Sequence, residues 1–210
     1  LFRSLDDARI DIGAWLADEV STVFAEKEGL AFFSGDGVNS PRGISSYTMI
    51  ADASYAWGKV GFKTSGVAAA LSDSTHNGAD AITDVVYALK QGYRTNGKFL
   101  MNRTTQAAVR KLKSKTEELY LWQPSIQAGQ PPTLLGYPVV DDDNVSDIGA
   151  NAFPIWFGDF KRAYLIVDRA GIRVLRDPYT NKPYVHFYTT KRVGGGIQNF
   201  EALKALKIST

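Results

Sequence analysis

The chain has 210 residues, of which 44% are hydrophobic and 22% charged, and its formal net charge is +2. These proportions are typical of a globular protein with one large or two modest domains and exclude a largely disordered chain. The absence of cysteine excludes disulfides, zinc–thiolate sites, iron–sulfur clusters and thiol catalysis.

Residues 4–28 (SLDDARIDIGAWLADEVSTVFAEKE) are predicted to form one long amphipathic helix. Ser4 can cap it, Asp7 favours its start, and Gly29 is predicted to end it. A helix of this length would be roughly 37 Å long, the dimension of a spine in a small domain. Its predicted apolar stripe comprises Leu5, Ala8, Ile12, Trp15, Leu16, Val23 and Phe24.

The start of the chain has neither a basic segment nor an apolar central region, so no signal peptide is predicted. It also lacks an initiator Met and opens just before the helix. We therefore expect residue 1 to lie inside a longer product. No apolar run approaches the roughly 20 residues that span a bilayer, and no membrane partner is expected.

After the helix, residues 30–44 are predicted as a loop rich in Gly, Asn, Ser and Pro. Residues 45–77 are predicted to be irregular, with a short strand near 59–63. The region that follows alternates helices and strands, which is typical of a mixed helix–sheet domain. The predicted helices are 79–91 and 103–113, and the predicted strands are 98–102, 137–140 and 153–157.

The last third has a different pattern. The segment AYLIVDRAGIRVLR predicts two strands around a turn at Asp168-Arg169-Ala170-Gly171, and residues 183–193 alternate as a third strand. The triplet GGG at 194–196 is expected to interrupt the chain and to be flexible. A closing strand is predicted near 201–208.

Charge is distributed unevenly. Residues 1–57 carry 4 basic and 9 acidic side chains, residues 58–157 carry 10 and 9, and residues 158–210 carry 10 and 4. A basic region can indicate nucleic-acid binding. Opposite charges at the two ends also fit an acidic face of one subunit against a basic face of its neighbour. The second interpretation is favoured because the basic residues alternate with Tyr, Val and Ile, as surface positions of strands do.

The strongest candidate for chemistry is the acidic run in LLGYPVVDDDNVSDIG, 134–149. It does not match a calcium loop, because Val145 stands at the fifth position, where an acid is required. On a strand, Asp141 and Asp143 would share one face and Asp142 the other. They could hold a loose cation or serve a carboxylate- or metal-dependent hydrolase. Alternatively, the run marks where a buried strand emerges into water.

Other catalytic signatures are missing. The sequence contains no G-x-S-x-G, no phosphate-binding G-x-x-x-x-G-K-[ST] and no complete dinucleotide fingerprint. His76 lies in a polar loop and His186 in a strand; either could join a spatial triad, but no motif supports one. The pair Glu117-Glu118 is interpreted as solvated surface, although glycosidase acids also come from positions without a motif.

Several segments, taken in order, resemble a known family. They are AFFSGDGVNSPRGI, GKFLMNRTTQAAVRKLK, YLWQPSIQAGQPPTLLGYPVVDDDNV and the stretch from FGDFKRAYLIVDRAGIRVLRD to the end. Together they resemble the major capsid protein of tailed bacteriophages, the Hong Kong 97-like family, which includes capsids of prophage-derived gene transfer particles. The resemblance covers nearly the whole chain.

The resemblance implies an α+β fold in which a long spine helix and an elongated β-sheet form a peripheral domain beside a mixed axial domain. Residues 1–66, with the helix 4–28, would begin the peripheral domain and 67–157 would form the axial domain. Residues 158–195 would add the peripheral strands, and 196–210 would return a strand to the axial domain.

The function implied is that of a structural, non-enzymatic subunit of an icosahedral shell. Such a subunit assembles with itself into pentamers and hexamers in the virion and is assembled in the cytoplasm of the bacterial host. Portal, scaffold and protease functions would be partners, and packaged DNA would be contacted non-specifically. No catalytic, cofactor-binding or metal residue is implied, so Asp141 to Asp143 become an exit turn.

From the resemblance, two segments that precede the spine helix are expected to be missing here. Family members carry an amino-terminal arm and an extended hairpin loop before the spine helix. Some members form a Lys–Asn crosslink from that loop; no such Lys can be assigned here, so crosslinking is not expected. Residues Trp122, Pro124 and Gln127 could face a ring neighbour or pack locally.

A nucleic-acid-binding module is the third hypothesis. It would use basic residues that alternating strands should spread over both faces rather than collect into one groove. These residues are Lys161, Arg162, Arg169, Arg173, Arg176, Lys191 and Arg192.

Overall fold

The computed structural model describes residues 12–113, 120, 122, 132–177, 179–180 and 186–210. The helices in this part of the chain are α1 (Ile12–Ser34), α2 (Gly78–Ala88), α3 (Gln91–Arg94), α4 (Arg103–Arg110) and α5 (Phe160–Ala163). The strands are β1 (Met49–Ala51), β2 (Val60–Thr64), β3 (Lys98–Met101), β4 (Thr133–Leu134), β5 (Tyr137–Asp141), β6 (Ile155–Gly158), β7 (Tyr164–Asp177), β8 (His186–Ile197) and β9 (Leu203–Lys207). Short 3-10 turns lie at Ile44–Ser46, Asp52–Ser54 and Phe200–Ala202.

Seven of these strands form one mixed sheet in the order β1-β2-β9-β6-β3-β5-β4. The last strand, β9, lies parallel to β2 and antiparallel to β6, so the end of the chain joins its first and middle parts. Strand β6 (IWFG) is buried along its whole length. A strand covered on both faces needs apolar side chains at every position, which explains the continuous apolar run in the sequence.

The sheet separates two hydrophobic clusters. Because side chains alternate along a strand, Phe157 enters the cluster beneath α2 and Trp156 enters the opposite one. Helix α2 buries Ile82, Val85 and Val86 on one face, and Asn77 caps its start by accepting a hydrogen bond from the Ala79 N–H. The seven-stranded sheet and the helices on it are called the body below.

The predicted elements of the body are confirmed to within a few residues. The strands predicted at 59–63, 98–102, 137–140, 153–157 and 201–208, and the helices predicted at 79–91 and 103–113, are all present. Both helix predictions run three residues too far at their carboxyl ends. The predicted domain boundaries at 66, 157 and 195 stay predictions.

The spine helix, α1, ends later than predicted. It continues through Gly29 to Ser34, because Phe33 packs its ring edge-on against Trp156 and extends the helix over the body. The helix ends where Gly35 passes the chain at Pro41, since a Cβ on Gly35 would lie 2.2 Å from the Pro41 carbonyl oxygen. The predicted start, residues 4–11, lies outside the described residues.

Strands β7 and β8 form a separate two-stranded antiparallel sheet, called the ribbon below. The turn predicted at Asp168–Gly171 is wrong: β7 runs through these residues as one strand and pairs with β8 from Tyr164 to Asp177. Two bulges, between Asp168 and Ala170 and between Ala170 and Arg173, accommodate the turn-like residues within the strand.

The GGG triplet also differs from its predicted role as a break in the chain. Gly194, Gly195 and Gly196 lie inside β8, where the ribbon leaves the body. A Cβ on Gly195 would lie 2.6 Å from the Tyr164 hydroxyl, and one on Gly196 would lie 3.0 Å from the Tyr47 hydroxyl. Glycine therefore lets two tyrosines lie directly against the strand.

Candidate assembly interface

The acidic run forms a hydrogen-bonded turn after β5. The Asp142 carboxylate accepts hydrogen bonds from the backbone N–H of Asn144 at 2.9 Å and from its side-chain amide at 2.7 Å. Asp143 lies 3.5 Å from Arg103, and both side chains are mostly exposed. Within the described ranges, no three acidic or histidine side chains come close enough to hold a metal ion. The run thus forms a turn at the carboxyl end of β5 that is closed by its own hydrogen bonds.

The two histidines do not join this turn. His76 lies 3.3 Å from Asp73 in the loop before α2. Hydrogen bonds from the backbone N–H groups of His76 and Thr75 lower the pKa of Asp73 to about 2, so this carboxylate caps the loop in its charged form. His186 begins β8, in the other sheet. The acidic run and the two histidines do not come together in the described part of the chain, so the structure does not support the hydrolase alternative. The pair Glu117-Glu118 lies outside the described residues.

Trp122 is buried, and its indole N–H donates a hydrogen bond of 2.6 Å to the Thr133 carbonyl. It belongs to the hydrophobic cluster beneath α2. These contacts agree with local packing rather than with a ring neighbour. Pro124 and Gln127 lie outside the described part of the chain.

Among the residues that the structure describes, the ribbon has the largest concentration of exposed apolar side chains. Each of the following is more than two-fifths exposed: Leu165, Ile166, Val167, Ile172, Val174, Leu175, Phe187 and Tyr188. A two-stranded sheet is marginally stable alone, and contiguous apolar patches on a subunit mark contact sites. The ribbon is thus a surface that another molecule should cover.

Several contacts hold the ribbon to the rest of the chain. The ammonium of Lys191 lies 2.6 Å from the Glu28 carboxylate on α1, which raises the pKa of Lys191. At the base of the ribbon, the Tyr164 hydroxyl donates a hydrogen bond of 3.0 Å to the Arg42 carbonyl, and burial raises the pKa of Tyr164 to about 12. The ring of Phe32 packs edge-on against the same tyrosine.

The basic residues are not distributed as predicted. Arg169, Arg173, Lys191 and Arg192 line one cleft of about 420 Å³ at the bulges of the ribbon. Arg173 pairs with Thr190, which is two residues from Arg192, so Arg173 and Arg192 share one face of the ribbon, whereas Lys191 points to the other.

The other basic residues named above are Lys161, Arg162 and Arg176. Lys161 and Arg162 line another cavity, of about 880 Å³, beside Asp159 and Asn199. The side chain of Arg176 is outside the described residues. The seven basic positions therefore do not make one continuous nucleic-acid groove among the described side chains.

The described surface carries exposed apolar strands and a long outer helix, and the acidic run is a turn closed by its own hydrogen bonds. These features are typical of a structural protein that acts through contacts with other molecules. The Phage capsid family model matches residues 3–208, and the chain belongs to that family. It is a structural capsid subunit, not an enzyme, and its place is the shell of a particle.

Solved structures agree with this assignment. The chain is 45% identical to the capsid protein of a GTA particle, with structures titled for the empty and the native particle and computed with C5 symmetry. The TM-score is 0.90 in both cases, over 99% of this chain and 70% or 69% of the other. The Hong Kong 97-like fold predicted from sequence is confirmed. The comparison with curated proteins gave no match.

More distant structures share the fold alone. The capsid of Myoviridae phage XM1 is 12% identical with a TM-score of 0.61, covering 99% of this chain and 68% of that one. The SrpI encapsulin of Synechococcus elongatus PCC 7942 is 13% identical with a TM-score of 0.62, covering 99% and 70%. Among the described helices, none is long and apolar enough to cross a membrane.

Proposed function

We propose that this subunit assembles with copies of itself into pentamers and hexamers of a closed icosahedral shell that encloses DNA. The ribbon and the outer side of α1 are the lateral contact surfaces of this assembly. The similarity to the capsid of a GTA particle computed with C5 symmetry supports rings of five. In this arrangement, complementary surfaces replace an active site.

The observation that carries the proposal is the exposure of the ribbon. Leu175 and Tyr188 are opposite each other in the register, and 62% and 66% of their surfaces are exposed. Covering such a pair in an interface removes apolar surface from water at about 25 cal/mol per Å². Because these side chains are exposed in the single subunit, this surface is available to a neighbour.

The remaining parts of the proposal follow from the same assignment. Assembly takes place in the cytoplasm of a bacterial host, with portal, scaffold and protease functions as partners. Residues 1–66 and 158–195 act as the peripheral domain, and 67–157 with 196–210 act as the axial domain. Contact with packaged DNA is non-specific and electrostatic, so it should weaken steeply with salt.

The test is light scattering with negative-stain microscopy across a concentration series of the 210-residue chain. We expect rings or shells that grow with concentration. The double variant Leu175→Lys, Tyr188→Lys should remain monomeric, since the charges would be buried in the contact. A matched control is Tyr87→Lys on α2, where the native side chain is 70% exposed but lies away from the ribbon.

Two outcomes would contradict the proposal. One is a chain that stays monomeric at every concentration and salt concentration. The other is a ribbon double variant that assembles as the unsubstituted chain does.

A further inference from the structure

Helix α1 carries an exposed stripe of apolar and acidic side chains. Trp15, Glu19, Val23, Glu26 and Leu30 recur at intervals of three and four residues, so they share one side of the helix. All five side chains are exposed, and 58% of Trp15 and 51% of Val23 are accessible. These five residues are called the outer stripe; the stripe is about 22 Å long.

The opposite side of α1 is already occupied. Phe24 and Glu28 follow Trp15 and Glu19 by nine residues, which at 100° per residue places them half a turn away. Both are partly buried, and Glu28 pairs with Lys191 of the ribbon at 2.6 Å. The outer stripe therefore points away from the ribbon of its own subunit.

The ribbon also has an outer face. Partners across an antiparallel pair share a face, so the register places Arg192 with Ala170, Thr190 with Arg173, and Tyr188 with Leu175. Because these three β8 residues are spaced by two, all three pairs share one side of the ribbon. Lys191 lies on the other side, toward Glu28.

The outer face combines apolar and basic groups. Leu175 and Tyr188 are highly exposed, and Arg173 and Arg192 line the cleft of about 420 Å³ beside them. Within the described ranges, neither arginine has an ion-pair partner, and neither do Glu19 and Glu26 of the outer stripe. Each surface thus carries apolar groups and unpaired charges of one sign.

We propose that the outer stripe of one subunit docks on the outer face of the ribbon of a second copy of this chain. Trp15, Val23 and Leu30 pack against Leu175 and Tyr188. Glu19 and Glu26 meet Arg173 and Arg192, with Arg169 at the rim. This inference rests on the proposed self-assembly and specifies which surfaces meet.

The arrangement explains why one subunit cannot satisfy both surfaces. The stripe and the outer face point in opposite directions, with α1 and the ribbon between them. Docking is therefore heterologous: each subunit offers its stripe to one neighbour and its ribbon to the next. Such contacts generate rings when the rotation closes, and charge pairs of opposite sign would fix the register.

The test is a charge-reversal cycle followed by light scattering at low salt. Glu19→Arg with Glu26→Arg, or Arg173→Glu with Arg192→Glu, should each weaken association on the order of tenfold, because like charges would meet. Mixing the two double variants should restore association, because the reversed stripe of one faces the reversed ribbon of the other. High salt should reduce the difference between the mixture and either variant alone.

Matched controls come from charges elsewhere on the body. Asp80→Arg with Asp84→Arg on α2 makes the same change in net charge at two exposed acids, as does Lys98→Glu with Lys111→Glu for the basic side. Both should leave association unchanged. Equal effects of the control and interface variants would show that net charge, not this contact, governs association, and would overturn the inference.

The outcomes separate this inference from the proposed function. If the unsubstituted chain associates but both interface variants associate equally well, only the stripe–ribbon contact is wrong. If the unsubstituted chain never associates, both fail. If the ribbon reversal abolishes retention of a short DNA duplex while leaving association intact, the cleft binds nucleic acid and the inference is overturned.

Discussion

The body and the ribbon differ in where they place their apolar side chains. In the body, β6 is buried at every residue and Phe157 contacts both Phe99 and Tyr137, with ring centroids 4.7 and 5.0 Å apart. In the ribbon, strands more than twice as long expose their apolar side chains on both faces. The body encloses its own core, whereas the ribbon leaves apolar surface for a neighbour.

The largest difference should appear on truncation of one aromatic side chain in each region. Phe157→Ala should lower the free energy of unfolding by about 3–5 kcal/mol, since it leaves a cavity in a closed core. Tyr188→Ala, at a position 66% exposed, should change it by less than about 0.5 kcal/mol. Urea unfolding at a concentration where the chain is monomeric measures both.

A milder variant keeps this comparison testable if Phe157→Ala does not fold. Phe157→Leu retains most of the volume and should still be more destabilising than Tyr188→Ala. Equal losses at the two positions would mean that the ribbon is packed as tightly as the body in the isolated subunit.

Ion pairs give the second comparison. In the body, Lys204 is 6% exposed, and its ammonium contacts the Asp52 carboxylate and lies 4.3 Å from the centre of the Tyr55 ring. Asp52→Ala should cost about 3 kcal/mol of unfolding free energy, because it leaves a buried charge without its partner. Adding Lys204→Met should recover most of the loss, as judged by a double-mutant cycle in urea.

A cycle without coupling would contradict this account of the buried pair. The nearby Lys63, 3.5 Å from Asp52 but 40% exposed, supplies the control. Lys63→Met should cost little, since surface pairs contribute at most about 1 kcal/mol.

The body was the more predictable region because its sequence pattern matches its environment. The apolar run of β6 and the helical spacing of Ile82, Val85 and Val86 follow from burial on two faces and on one face, respectively. The end of α1 was mispredicted because Phe33 packs against Trp156, and this tertiary contact outweighs the local stop signal at Gly29. The sequence around Gly29 does not indicate that contact.

The candidate interface was only partly predictable. Opposite charges at the two ends of the chain indicated complementary faces, and five of the seven basic positions named above do lie in the ribbon. The two bulges between Asp168 and Arg173 offset each other, so Arg173 keeps the face that simple alternation from Asp168 gives it. The turn-like sequence Asp168–Gly171 was in fact the location of both irregularities, so the signal was present but misinterpreted.

The junction between body and ribbon provides a smaller effect. Gly195→Ala should destabilise the ribbon by about 1–3 kcal/mol, because the new methyl group would collide with the Tyr164 hydroxyl. Gly194→Ala is the matched control, since its nearest neighbour would be 4.0 Å away. Hydrogen exchange should show faster opening of β7 and β8 in Gly195→Ala, with the body unchanged. Equal exchange in the two variants would argue against the close packing of Tyr164.

The smallest expected effect is the pH dependence of the ion pair between Lys191 and Glu28. The hydrogen bond to Glu28 raises the pKa of Lys191 above its ordinary value of 10.5. Since the folded chain binds this proton more tightly than the unfolded chain, the stabilisation is complete below pH 10.5 and is lost as the pH rises through the higher folded-state pKa. The ribbon should therefore loosen from α1 in strong alkali before the body unfolds.

The measurement is the thermal midpoint of the unsubstituted chain and of Lys191→Met, from neutral pH to above 10.5. At neutral pH the unsubstituted chain should melt higher, and the gap should narrow above pH 10.5, because only that chain loses a charge pair. Lys111→Met, at an exposed lysine of the body, should show no such narrowing. A gap that stays constant would mean that Lys191 stabilises the ribbon through its aliphatic stem, which packs equally well with or without the proton.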